Sequence, residues 1–118
     1  MHALVIEDDP ITAMLIDHEL RDLGFKSVDC ASTEEEAISS VARRSPDLVT
    51  CDGTLRIGSG LAAARVIRQS LPVPIIFITG DAEHARRYMP NAALLEKPFG
   101  LAALSRAVAM ILPRSEVH

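Results

Sequence analysis

The chain has 118 residues, room for one domain of ordinary size, and 48% of them are apolar, enough for a packed core. Sixteen acids against twelve bases leave a net charge of −4, and only Phe25, Phe77, Tyr88 and Phe99 are aromatic, which argues against both the basic patch and the stacking surface of a nucleic-acid binder. No apolar run reaches the ~20 residues of a membrane span, and the start MHALVIEDD lacks the basic lead and cleavage pattern of a secretion signal, so a cytoplasmic location is expected.

Short apolar runs alternate with longer helical patterns. Residues 3–6 read as a buried strand ending in the acids Glu7, Asp8 and Asp9. Pro10 suits an early helix position, and apolar residues at helical spacing run on to Gly24. Residues 26–30 form a second strand. Ser32-Thr33-Glu34-Glu35 fits a capping box that opens a helix to about Arg44, with 34–36 as its solvated start. Residues 48–51 are a third strand ending in Asp52. Three glycines between 53 and 60 mark a loop, and residues 61–70 form a helix. A fourth strand spans 73–79, followed by Gly80 and a short helix over 82–89 that Asp81 is placed to cap. A fifth strand covers 92–95, Lys97-Pro98 ends it, and a last helix covers 100–112. Residues 113–118 read as a terminal tail or linker remnant. Cys30 and Cys51 lie in strands without clustering and are expected to be small buried packing residues.

Five βα units with near-continuous apolar strands predict an α/β fold. The expected architecture is a doubly wound five-stranded parallel sheet, covered on both faces, in a single domain over 1–118. Ligands of such sheets sit beyond the carboxyl ends of the strands, at the topological switch point. In strand order 2-1-3-4-5 that rule gathers Asp8, Asp9, Asp52, Thr79 and Lys97 in one cleft. Three convergent carboxylates repel one another unless a hard divalent cation joins them, and Mg²⁺ accepts a few carboxylates, waters and a phosphate. One lysine and one hydroxyl facing the same cleft point to a phosphoryl group as the substrate moiety. By position alone, Asp8 and Asp9 equally suit capping of the first helix.

In this order and spacing the segments ALVIEDD at 3–9, PDLVTCDGTL at 46–55, PIIFITG at 74–80 and LLEKPF at 94–99 are together specific. The sequence resembles a response-regulator receiver domain of two-component signalling over residues 3–112. The resemblance implies a flavodoxin-like three-layer fold. It implies that Asp52 accepts a phosphoryl group from a histidine kinase or a histidine phosphotransfer protein. It further implies that Asp8, Asp9, Asp52 and the main-chain carbonyl of Thr54 hold Mg²⁺, with Mn²⁺ a substitute. Lys97 and Thr79 would bind the phosphoryl oxygens, and Lys97-Pro98 would be a cis peptide. The output would be a homodimer or a protein partner on the face of the fourth helix, fifth strand and fifth helix, including Arg86, Arg87, Tyr88, Leu101, Leu104 and Arg106.

The chain also departs from that family. Leu94 stands where many receivers carry an aromatic switch residue, and PIIFITG resembles the P-F-x-F-A-T-G signature of a subgroup that lacks it. Arg56 stands where proline is common, and Asp81 borders the cleft; with Leu94 they are expected modulators of the phosphorylated state. Two other readings compete. A phosphatase with an Asp nucleophile would want a second acid at position 54, where this chain has Thr. A docking module used without phosphorylation would not need the full residue set.

Overall fold

The computed structural model describes residues 1–55 and 57–112. Arg56 and the expected tail at 113–118 lie outside the described residues. The elements run β1 (His2–Ile6), α1 (Pro10–Asp22), β2 (Ser27–Ala31), α2 (Glu34–Arg43), β3 (Leu48–Asp52), α3 (Gly60–Ser70), β4 (Ile75–Thr79), α4 (Ala82–Tyr88), β5 (Ala93–Glu96) and α5 (Leu101–Ile111). All strand pairings are parallel, and the order is β2-β1-β3-β4-β5. Both the class and the strand order agree with the reading of the sequence.

Period-two alternation sorts the strand residues onto two faces. Leu4, Ile6, Val49, Cys51, Ile75 and Phe77 pack against Ala37 of α2, Leu61, Ala64 and Ile67 of α3, and Ala85 of α4. Ala3, Val5, Leu48, Ile76 and Ile78 pack against Ile16 and Leu20 of α1 and Leu104 and Val108 of α5, closed by Phe25. β1, β3 and β4 are buried along their full length, as strands covered on both sides must be. No described helix is long and apolar enough to cross a membrane.

Local chemistry sets the helix starts. Asp9 caps α1, with Pro10 in its first turn. The cap of α2 is Thr33 rather than Ser32: its Oγ1 accepts the Glu36 N–H at 3.1 Å. Glu36 reaches back to the Ser32 N–H at 2.8 Å, one residue before the cap, so the helix start is closed by a variant of the expected capping box shifted by one residue. Two placements differ from expectation. Cys30 is exposed while Cys51 is buried, because β2 is an edge strand with a neighbour on one side only. Leu104 is fully buried in the α1–α5 layer and offers nothing to a partner.

Candidate functional site

β1 has neighbours on both sides, β2 and β3, so the chain reverses its direction of winding there and opens a crevice at the carboxyl ends of β1 and β3. Asp52, the last residue of β3, lies in that crevice, buried at 6% exposure. Its Oδ1 accepts the Thr54 N–H at 3.0 Å, and its Oδ2 lies 3.3 Å from Lys97 Nζ. The same ammonium lies 3.4 Å from Glu7 Oε1. Lys97 follows β5, where its N–H donates to the Thr79 carbonyl at 2.8 Å, and the Lys97-Pro98 peptide is cis.

Glu7 is the residue that the reading of the sequence missed. It continues the ladder beyond β1, donating its N–H to the Ala31 carbonyl at 2.9 Å, and is buried at 4% exposure. Carboxylate oxygens of Glu7, Asp8 and Asp52 all lie within 4.8 Å of one another. Asp9, expected as a cation ligand, is exposed and outside this group; its carboxylate accepts from both the N–H and the hydroxyl of Thr12. These bonds hold its pKa below the ordinary value, the hydroxyl contributing most. Of the run Glu7-Asp8-Asp9, the first two thus face the crevice and the third serves the helix. The Asp9-Pro10 pair at a helix start was the available signal for that division.

Thr79 closes the crevice from β4. It is buried, and its Oγ1 accepts the Asp81 N–H at 3.0 Å. The loop after Asp52 passes so close that a Cβ at Gly53 would lie 3.3 Å from that oxygen. Asp81 is exposed and caps α4 through the His84 N–H at 3.1 Å, so the Thr79 hydroxyl and the start of α4 are joined through one residue. Leu94 pairs with Phe77 and packs, half-buried, on the α2–α3–α4 side of the sheet.

Three clustered acids, two of them in contact with one ammonium, are a hard-oxygen donor set. That set fits a small divalent cation that keeps several waters, and Lys97 is left to meet a ligand's own negative charge.

Comparisons with known proteins identify the family of this fold. The model of the response regulator receiver domain matches residues 3–109. The chain belongs to the response regulator receiver family. The phyllosphere-induced regulator PhyR of Methylorubrum extorquens is 36% identical over 115 residues, covering 92% of this chain and 42% of that protein. The solved receiver domain of PhyR from Erythrobacter litoralis is 30% identical with a TM-score of 0.85, covering 93% of this chain and 88% of that one. The receiver domain of the sensor histidine kinase PA1611 from Pseudomonas aeruginosa, solved with a magnesium ion coordinated in its active site cleft, is 30% identical with a TM-score of 0.80, covering 93% and 95%. The chain spans less than half the length of the first curated relatives it matches.

The electrostatics of this receiver follow from the placement of Glu7. Burial pushes its carboxyl up to about 7; the Asp9 N–H opposes the rise, the charge and hydrogen bond of Asp52 add to it, and Lys97 opposes it again. Partial burial acts to lower the Lys97 pKa, but the fields of Asp52 and Glu7 outweigh it and hold the ammonium above its ordinary value. A carboxyl raised in the folded chain binds its proton more tightly than the unfolded chain does. Its contribution to stability is therefore full below pH 4.5 and is lost as pH rises through about 7. Without a divalent cation, wild type is expected to lose on the order of 1–3 kcal/mol relative to Glu7→Gln over that window. Thermal melts of the two proteins from about pH 5 to about pH 8 check this; parallel curves would contradict it.

Proposed function

We propose that Asp52 accepts a phosphoryl group from the phosphohistidine of a histidine kinase or phosphotransfer protein, in a reaction that requires Mg²⁺. The observation that carries this reading is the buried Asp52 carboxylate, held by the Thr54 N–H on one oxygen and paired with Lys97 on the other, beside two further acids. A carboxylate is nucleophilic without a base. An Asp52 oxygen bonds to phosphorus as the P–N bond of the donor breaks; the electron pair leaves with the imidazole, which then takes a proton from solvent. The transition state is loose, so the residues contribute position and charge rather than covalent chemistry. Asp8 and Asp52, with Glu7 beside them and the Thr54 carbonyl on the loop, would hold the cation, which when bound neutralises charge on the phosphoryl oxygens. Lys97 meets the remaining charge, and Thr79 offers its hydroxyl.

The same reading gives the output. Turning the Thr79 hydroxyl toward a phosphoryl oxygen removes its bond to the Asp81 N–H and so reaches the cap of α4. A groove of about 580 Å³ between β5 and α5, lined by Leu94, Arg106, Ala107 and Met110 among others, is open to a protein partner or a second copy. On α4, Arg86, Arg87 and Tyr88 are exposed, whereas Leu101 of α5 is half-buried. Leu94 has no ring to swing, so the signal would pass through Thr79 and Asp81 alone.

Incubation with a small phosphodonor such as phosphoramidate tests the acceptor. Wild type with Mg²⁺ should gain the mass of one phosphoryl group. Asp52→Asn, or wild type with excess chelator, should gain none. Full labelling of Asp52→Asn would end this assignment.

A further inference from the structure

Glu34 opens α2, where Glu35 and Glu36 already supply the negative charge that a helix start favours. Its own carboxylate is used elsewhere. Glu34 Oε2 accepts the N–H of Ser59 at 3.2 Å, a contact between residues 25 positions apart. Ser59 ends the loop that begins after Asp52. It pairs with Thr54 in an isolated antiparallel bridge, and the Thr54 N–H donates to Asp52 Oδ1 at 3.0 Å. Glu34, Ser59, Thr54 and Asp52 thus form one connected line from α2 to the acceptor carboxylate.

Two further contacts fasten the same loop to the same place. Thr33 and Ile57 form a parallel bridge. Gly58 has φ +83° and lies so close that a Cβ there would be 2.7 Å from Glu34 Cβ and 2.9 Å from Glu34 Oε2. A residue other than glycine would have to push Glu34 aside in a backbone conformation that side chains avoid.

We propose that Glu34 is a positioning residue for the phosphorylation site, holding the β3–α3 loop in register so that Thr54 keeps both its bond to Asp52 and its place beside the cation. This inference rests on the reading of Asp52 as acceptor with a divalent cation at its side. It is the acceptor oxygen of Glu34 that matters, not its charge. An oxygen lost from behind a metal cradle loosens the cradle without removing a ligand.

The test is calorimetric titration with MgCl₂ of wild type, Glu34→Ala and Glu34→Gln, with amide exchange measured on the metal-free proteins. Glu34→Ala should bind Mg²⁺ about 10-fold more weakly and lose exchange protection at Ser59 and Thr54. Glu34→Gln keeps an oxygen for the Ser59 N–H and should stay within about 2-fold of wild type. Glu34 is partly exposed at a helix start, and Thr33 still caps α2, so both variants should fold. Unchanged Mg²⁺ affinity in Glu34→Ala, with protection lost only within α2, would overturn the proposal. So would an equal loss in both variants, which would assign the effect to charge. Labelling of Asp52→Asn is read separately: it bears on the acceptor, whereas the Mg²⁺ affinities bear on Glu34.

Discussion

Gly60→Ala is expected to destabilise the protein by about 3 kcal/mol or more and to lower its melting temperature by roughly 10 °C. A Cβ at position 60 would lie 1.7 Å from the carbonyl oxygen of Asp52, 2.8 Å from its carbonyl carbon and 3.1 Å from Cys51 Sγ. The first two are backbone atoms at the end of a buried central strand, so no flexible side chain can yield. The chain must move α3 or the end of β3, and the end of β3 carries Asp52, the proposed acceptor. Stability and labelling of Asp52 should therefore fall together. Gly100→Ala is the matched control, because its Cβ would meet nothing within 4 Å. It should melt within a few degrees of wild type. Thermal denaturation of the pair decides, and equal melting of Gly60→Ala and wild type would contradict the close approach.

Lys97→Met should slow phosphorylation of Asp52 about 100-fold while leaving Mg²⁺ affinity unchanged or higher. The ammonium is the cation that meets both Glu7 and Asp52, at 3.4 and 3.3 Å. Removing it leaves the buried carboxylates with less opposing charge, which favours a divalent ion beside them. The phosphoryl oxygens, however, lose the point charge that would meet them during transfer. Rate and metal affinity thus move apart. Calorimetry gives the affinity, and the rate of mass gain at saturating Mg²⁺ gives the transfer. A large loss of Mg²⁺ affinity would mean that Lys97 holds the fold of the crevice rather than the phosphoryl group.

The architecture was legible because strands buried on both faces read as continuous apolar runs, as in ALVI at 3–6 and IIFIT at 75–79. Asp52, Thr79 and Lys97 were legible for a related reason: each ends a strand or directly follows one, and the switch-point rule then places them together. The run Glu7-Asp8-Asp9 was harder. Three acids in a row carry no mark of which face the crevice, and the answer depends on how far the β1–β2 ladder continues. It reaches Glu7 through its N–H to Ala31, which turns that carboxylate inward and frees Asp9 to cap α1. Glu34 read as a solvated acid because its partner Ser59 is distant in sequence. Leu104 was expected at the surface because the resemblance assigns a whole helix face, and it packs instead with Ile16, Leu20 and Val108.

The central claim is that Asp52, and no other residue, carries the phosphoryl group. Reductive trapping measures this directly. Wild type is phosphorylated with phosphoramidate and Mg²⁺, treated with borohydride, which converts an aspartyl phosphate to homoserine, and digested at Arg44 and Arg56. The peptide of residues 45–56 should contain homoserine at position 52 and an unmodified Asp47. Homoserine at Asp8, Asp9 or Asp47, or a stable phosphoryl group on a histidine or serine with Asp52 intact, would contradict it.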